Sequence, residues 1–246
     1  MNQRQTNIVE YISKNKKISV VELSNMLGVS QVTIRKDLIE LEKQGLILRE
    51  HGYATINDSD DINHRLAIHF ETKQDIAKKA AELVENGQTI MIESGSCCAL
   101  FAQVLASTKK DITIITNSAF IADYVRKTGH VHIILLGGEY QNESQVMVGP
   151  MVRKYAESFN VDKLFIGADG FSKETGFTGN DFMRAEAVQN MAKQAKKVYV
   201  LTDSRKFSNV GLTQLLTLDK IHGVITDSNI PEDIKNYLIE KGIKVL

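Results

Sequence analysis

Two hydrophobic rhythms divide the chain. From Ser19 to Leu48 apolar residues fall at helical spacing in two short segments separated by Gly28-Val29-Ser30, the pattern of a helix-turn-helix. In the first segment Val21, Leu23, Met26 and Leu27 are expected to form the buried stripe, and Gly28 falls where a helix ends and the backbone needs positive φ. Ser30 opens the second helix, where its hydroxyl can accept from otherwise unpaired first-turn amides. Ile34, Leu38 and Leu41 recur at helical steps and must face the core, so Val32, Thr33 and Lys36 point away, with Gln31 and Arg35 on the flank. A helix over Arg4 to Asn15, striped by Ile8, Val9 and Ile12, is expected to pack behind. The second helix ends at Gln44-Gly45, and two short β-rich runs, Leu46 to Arg49 and Tyr53 to Ile56, reverse at His51-Gly52. That is a wing, and the unit reads as a winged helix.

The rhythm changes after the polar, acidic stretch Asn57-Asp58-Ser59-Asp60-Asp61-Ile62, the best candidate for a linker. The expected division is a DNA-binding domain over 1–57, a linker and the start of a connecting helix over 58–73, and a second domain over 74–246. A helical pattern runs from His64 to Asn86 with an interruption near Glu71-Thr72. Beyond it come short apolar, β-branched runs at Thr89 to Ile92, Ile112 to Thr116, Val131 to Leu136, Lys163 to Gly167, Val198 to Leu201, Gly223 to Thr226 and Ile243 to Leu246. Helical patterns fill most of the intervals. Such runs suit strands buried on both faces, and the alternation implies a Rossmann-like, mainly parallel α/β domain.

In open α/β sheets ligands bind at the carboxyl ends of the strands, so the residues just after each run are the informative ones. After the first come Glu93-Ser94-Gly95-Ser96-Cys97, a small-residue loop opening a helix and therefore a ready anion site, although it lacks the residues of a nucleotide P-loop. Thr116-Asn117-Ser118 follows the second run, where Ser118 could equally cap a helix. Gly137-Gly138 follows the third, and later loops add Asp169-Gly170 and Asp203-Ser204-Arg205-Lys206. Several polar loops at one sheet edge, with a cation in Lys206, suit a small phosphorylated polyol better than an apolar ligand. Taken singly, each loop would serve as an ordinary tight turn.

Composition sharpens this reading. The 246 residues suffice for two domains, and a formal net charge of zero excludes a protein basic throughout. The first fifty residues carry only a slight basic excess, so DNA affinity would rest on where cations stand and on dimerisation. The opening MNQRQTNIVEYI has no apolar signal core, and no run approaches the ~18 apolar residues that span a bilayer. Cys97 and Cys98 are adjacent, which suits neither a disulfide framework nor spaced zinc ligands. The expectation is a cytoplasmic protein with reduced thiols. His130 and His132 share a strand face but lack a third ligand at metal-site spacing, so no metal and no cofactor are expected.

The outward face of the Ser30 helix offers cations for phosphates or guanine, Gln31 for adenine, and methyl groups for thymine. The bland alternative is an amphipathic surface helix whose polar side meets water. The run VSQVTIRKDLIELEKQGLILREHGYA resembles the N-terminal signature of the DeoR family of bacterial transcriptional regulators. That resemblance implies a DNA-reading role for the helix through Gln31, Thr33, Arg35 and Lys36, and the reading of the residues adds Ser30 and Val32 on the helix and Arg49 and His51 on the wing as DNA-binding candidates. Tyr53 departs from it, since relatives usually carry a second glycine there.

The similarity continues through ESGSC, TNS, LLGG, GADG and DSRKF, which look like the family's effector domain, similar in fold to sugar-phosphate isomerases. It implies an effector pocket at Gly95, Ser96, Thr116, Asn117, Gly138, Asp169, Glu186, Asp203 and Lys206, to which the loop positions add Glu93, Cys97, Ser118 and Gly137 as candidates. Glu93 stands where relatives usually have Asp, Cys97 where they have Ser or Thr, and Val188 near a position often basic. The function implied is a DNA-binding repressor of carbohydrate-related genes controlled by a phosphorylated, sugar-like effector, acting as a dimer or higher oligomer. The alternative is an isomerase-like enzyme with a fused winged helix, in which Asp169, Glu186 and Lys206 would move protons. A fused winged helix favours sensing, so no catalytic residue is assigned.

Overall fold

A computed structural model of the chain describes residues 2–15, 17–43, 46–56, 60–128 and 131–246. The Gln44-Gly45 helix end, the start of the proposed linker at 57–59 and His130 therefore lie outside the described residues. The chain separates into two compact units, 1–70 and 71–246.

The first unit comprises α1 (Gln3–Asn15), β1 (Lys17–Ser19), α2 (Val20–Leu27), α3 (Gln31–Lys43), β2 (Ile47–Glu50), β3 (Tyr53–Ile56) and α4 (Ile62–Ala67). Ile8, Val9, Ile12, Leu23, Ile34, Leu38 and Leu41 form one core with Leu46, Ile47 and Ala54. Each fully buried aliphatic side chain contributes about 1.5–3 kcal/mol, which fixes the phase of α3 more firmly than its modest helix propensity. α2 begins in a complete capping box, with Ser19 Oγ accepting from Glu22 N and the Glu22 carboxylate accepting from Ser19 N. It ends at Gly28, whose φ of 65° is left-handed.

The stripe of α2 needs correction. Val20 and Leu23 are its buried residues, whereas Val21 and Met26 are 50% and 49% exposed. The Ser19 cap makes Val20 the first helical residue, and the line through Val20, Leu23 and Leu27 leaves Val21 and Met26 about a quarter-turn or more away. The wing strands pair β1-β3-β2, so Lys17–Ser19 supplies a third strand. The helical pattern after residue 62 is broken at Ile68-His69, earlier than the expected Glu71-Thr72, because His69 takes a left-handed φ of 52°. Ala67 and Ile68 pack into the first unit's core.

The second unit runs α5 (Phe70–Ala81), β4 (Thr89–Ile92), α6 (Ser96–Thr108), β5 (Ile112–Thr116), α7 (Ala119–Val125), β6 (Val131–Leu135), β7 (Glu139–Gln141), β8 (Val146–Val148) and α8 (Pro150–Ala156). It continues through β9 (Val161–Gly167), β10 (Gly170–Ser172), β11 (Gly176–Gly179), α9 (Phe182–Ala192), β12 (Ala195–Leu201), a 3₁₀ helix (Ser204–Ser208), β13 (Thr213–Leu216), β14 (Gly223–Ile225), α10 (Glu232–Glu240) and β15 (Lys244–Val245). Seven strands form a sheet in the order β15-β14-β12-β9-β4-β5-β6, with every pairing parallel. The expected mainly parallel α/β fold is what the chain adopts. Two smaller antiparallel elements, β7-β8 and β10-β11-β13, were not foreseen. Phe165 on β9 stacks on Tyr199 of β12 and meets Phe101 of α6 at a tilt of 47°, joining sheet to helix.

Candidate functional site

The chemistry of the first unit gathers on α3. Ser30 Oγ accepts from Thr33 N at 3.2 Å and lies 2.9 Å from Thr33 Oγ1, so it caps the helix. Gln31, Val32, Arg35 and Lys36 are exposed and Thr33 is half-buried. Arg35 donates to Gln31 Oε1 at 3.3 Å, which aligns the two outward side chains one turn apart. Arg4 does not join this face, because it clamps the buried Asp37 at 2.6 and 3.2 Å and ties α1 to α3.

The wing carries its own charges. Arg49 pairs with Glu42 of α3 at 2.6 Å, and its backbone N donates to the other carboxylate oxygen. A phosphate at Arg49 would therefore compete with Glu42. His51 and Gly52 turn the hairpin with φ of 44° and 85°, and His51 is exposed. Tyr53, in place of the usual glycine, supports the Lys17 ammonium 4.7 Å from its ring centroid. Lys17 is a cation at the wing that the sequence did not single out, for want of any sign that residues 17–19 would join the hairpin.

In the second unit the sheet order reverses direction between β4 and β9. Strands β5 and β6 step outward from one, β12, β14 and β15 from the other, and the crevice lies at the carboxyl ends of this pair. Gly95 there has φ 129° and forms the N-terminal boundary of α6; a Cβ on it would stand 3.8 Å from Gly167 Cα. The first-turn amides of α6, beginning at Ser96 and Cys97, have no acceptor within the helix. Glu93 and Ser94 are buried, with Ser94 Oγ donating to Glu93 Oε1 at 2.5 Å.

Beside the crevice, Asn117 donates to Met147 O at 3.0 Å, while its Oδ1 is buried with no partner. Such an orphaned acceptor is costly unless a ligand or water supplies a donor. Thr116 and Ser118 are spent locally: Thr116 Oγ1 accepts from Ser118 N, and Ser118 Oγ caps α7 through Ile121 N. Gly138 is closely packed, whereas Gly137 leaves ordinary room for a side chain. A Cβ on Gly138 would meet Val148 O at 2.5 Å and Val152 at 2.8 Å, and one on Gly137 would meet the Tyr155 ring at 3.6 Å.

On the other side of the crevice Asp169 Oδ2 accepts from Asn180 N at 3.2 Å and Oδ1 faces the Lys206 ammonium at 3.7 Å. Asp203 is buried, and Arg205 Nε donates to it at 2.8 Å. Burial pushes the Asp203 carboxyl above its ordinary range, against the opposing pull of Lys73 and Lys206. Neighbouring Asp227 also feels burial, but hydrogen bonds from Ser204 N and Oγ outweigh it and hold its carboxyl below the usual range. Burial raises the Cys97 thiol to about 12, so Cys97 stays a neutral thiol. Glu186 is half-buried on α9, and no hydrogen bond or ion pair ties it to Asp169, Asp203 or Lys206. Val188 belongs to the core. Lys73 of α5, absent from the sequence reading, is buried at 5% exposure and acts on both Cys97 and Asp203. Its spacing to Ile76, Ala77 and Ala80 places it on the inner face of α5, a signal the sequence reading passed over because lysine is ordinarily solvated.

The carboxyl ends of these strands thus bring together the start of α6, the Lys206 cation and the carboxylates of Asp169 and Asp203, groups of the kind that hold an anionic head and a hydroxylated tail. Among the described residues no group of three or more His, Cys, Asp or Glu could hold a metal, and no helix is long and apolar enough to cross a membrane. Residues 4–60 match the DeoR-like helix-turn-helix domain and residues 68–228 the DeoR C terminal sensor domain. The chain belongs to the DeoR family. The resemblance read from its sequence motifs is therefore correct, and the protein is a DNA-binding transcriptional regulator.

Two relatives place this DeoR-family chain further. It is 32% identical to the HTH-type transcriptional regulator GolR of Listeria innocua, over 99% of this chain and 97% of that one. It is 28% identical to the glycerol-3-phosphate regulon repressor of Escherichia coli K12, over 99% and 97%. Among solved structures, ribose 5-phosphate isomerase A from Methanocaldococcus jannaschii aligns at a TM-score of 0.41 and 20% identity, over 56% of this chain and 54% of that one.

Proposed function

We propose that this DeoR-family regulator is a cytoplasmic repressor of carbohydrate-related genes that binds its operator through α3 and the wing. Ser30, Gln31, Val32, Thr33, Arg35 and Lys36 enter the major groove, with Arg49 and His51 at flanking phosphates. One winged helix contacts too few base pairs for operator specificity, so the working form is at least a dimer on repeated or palindromic half-sites. The second unit binds a phosphorylated sugar or polyol without turning it over. Its phosphate lies against Gly95 and Ser96 with Lys206 as counter-charge, and its hydroxyls meet Asn117, Asp169 and Asp203.

The observation carrying this reading is the buried, unpartnered Asn117 Oδ1 just past the end of β5, the strand paired with β4, whose own carboxyl end leads into the start of α6. The name of the glycerol-3-phosphate regulon repressor supports the phosphorylated class. Footprinting of the DNA upstream of the protein's own coding region, with and without a panel of sugar and polyol phosphates, tests it. A protected site lost on adding one compound supports the reading. Steady turnover of a panel compound with no protected site overturns it in favour of the isomerase-like enzyme.

A further inference from the structure

We propose that Lys17 is a DNA-phosphate contact of the wing and that Tyr53 is the residue that positions it. The proposal rests on the reading that α3 and the wing meet the operator, and it does not involve the sensor domain.

The strand register places the pair. Between β1 and β3, Ser19 stands opposite Tyr53 and Lys17 opposite Thr55, so Lys17 and Tyr53 are diagonal neighbours on one face of the three-stranded sheet. Ile18 and Ala54 alternate with them and turn into the core, which leaves the Lys17 face to solvent. From its place opposite Thr55 the Lys17 side chain leans back along the strand, and its ammonium lies 4.7 Å from the centroid of the Tyr53 ring. Tyr53 directly follows the His51-Gly52 turn, and Val20 N donates to Gly52 O at 3.1 Å. The charge is therefore carried to the turn end of the wing, and that end is tied to the start of α2.

The Lys17 charge is also unspent. Arg4 is committed to Asp37 and Arg49 to Glu42, each at 2.6 Å. Among the described residues no carboxylate pairs with Lys17, and Glu50, across the ladder from Tyr53, forms no ion pair with it. The aromatic face attracts the ammonium through its quadrupole but carries no net charge, so it holds the cation without neutralising it. Lys17 and Tyr53 are both exposed, which leaves the ammonium open to a ligand from solvent. A phosphate arriving at Arg49 must compete with Glu42. One arriving at Lys17 meets an uncompensated charge whose side chain has already given up part of its freedom, and the ordering cost of the contact falls accordingly.

The chemistry of the contact fixes what it contributes. A lysine ammonium is a point charge that binds phosphate oxygens at any sequence, and phosphate contacts set register and affinity while carrying no base information. With α3 in the major groove, Lys17 therefore adds attraction that is equal on operator and on unrelated DNA, and that weakens with salt.

The test uses the full chain and two labelled duplexes of equal length, one from the protein's own upstream region and one of unrelated sequence, each titrated by fluorescence anisotropy over a salt series. Lys17→Met should lower the salt slope by about one for each protomer bound and weaken both duplexes by the same factor. Lys17→Arg should keep the wild-type slope. Tyr53→Leu should keep the slope, because the charge remains, but weaken both duplexes by about two- to fivefold as the ammonium loses its support, and Tyr53→Phe, which retains the ring, should restore the affinity. A wild-type slope and affinity in Lys17→Met overturn the proposal, as does a loss confined to the upstream duplex, which would make Lys17 a base reader. Wild-type affinity in Tyr53→Leu overturns the positioning role of Tyr53. Undiminished binding by Arg35→Ala, with the Lys17→Met slope change intact, overturns the placement of α3 and leaves the Lys17 contact standing; failure of wild type to bind either duplex overturns both. Should the Lys17 variants not fold, wild type decides: DNA is expected to slow acylation of the Lys17 amine by an amine-directed reagent, and unchanged acylation overturns the proposal.

Discussion

The Lys206 ammonium stands 3.7 Å from Asp169 Oδ1, joining the loop after β9 to the 3₁₀ helix after β12. The pair holds a cation at the crevice and keeps one Asp169 oxygen on the Asn180 amide. A charge-assisted hydrogen bond contributes about 1.5–3 kcal/mol, so Lys206→Met is expected to weaken binding of a phosphorylated compound by about ten- to a hundredfold. Calorimetric titration checks this; unchanged affinity would place the phosphate elsewhere.

Arg35 is exposed on α3 and aligned by Gln31. Arg35→Ala should weaken operator binding by about ten- to a hundredfold while the thermal shift caused by a phosphorylated compound persists. A salt series separates its two possible contacts. Loss of a phosphate contact lowers the salt slope by about one, whereas loss of a base contact leaves the slope and relaxes sequence preference.

Gly138 has no room for a side chain against Val148 O and Val152. Gly138→Ala should cost about 1–3 kcal/mol by overpacking, measured by urea unfolding of the full chain. A neutral result would mean that β8 and α8 yield freely and that the glycine does not serve packing.

The Asp203 carboxyl titrates above its ordinary value near 3.8, chiefly through burial. Its folded form thus holds a proton more tightly than the unfolded chain does. The stability this contributes is full below the unfolded value and is lost as pH rises through the folded one. Asp203→Asn should therefore remove that acid-side gain, and melting temperatures of variant and wild type compared upward from pH 4 should show a shallower decline in the variant. Parallel curves would mean that Asp203 is ordinary in the folded chain.

The sequence revealed most of the architecture because the strong signals coincided. Ile34, Leu38 and Leu41 set the phase of α3, and the β-branched runs marked the strands of the parallel sheet. What was misread was weakly encoded. Val21 and Met26 are apolar but flank a short helix whose phase is set by the Ser19 cap, and Lys17–Ser19 is too short to announce a strand. The small residues at Gly95 and the polar residues that follow β5, β9 and β12 were legible as loops after β-rich runs. The burial of Lys73 was passed over although its spacing to Ile76, Ala77 and Ala80 sets it on the inner face of α5, and the close packing of Gly138 against Val148 leaves no local mark in the sequence.

The account turns on one measurement: fluorescence anisotropy of labelled upstream DNA titrated with the full chain, at low and physiological salt, alone and with each phosphorylated compound. The expected result is sequence-specific binding that weakens with salt and a single class of phosphorylated compound that changes the affinity by about fivefold or more. DNA binding that no phosphorylated compound alters, while a non-phosphorylated metabolite does, would contradict it.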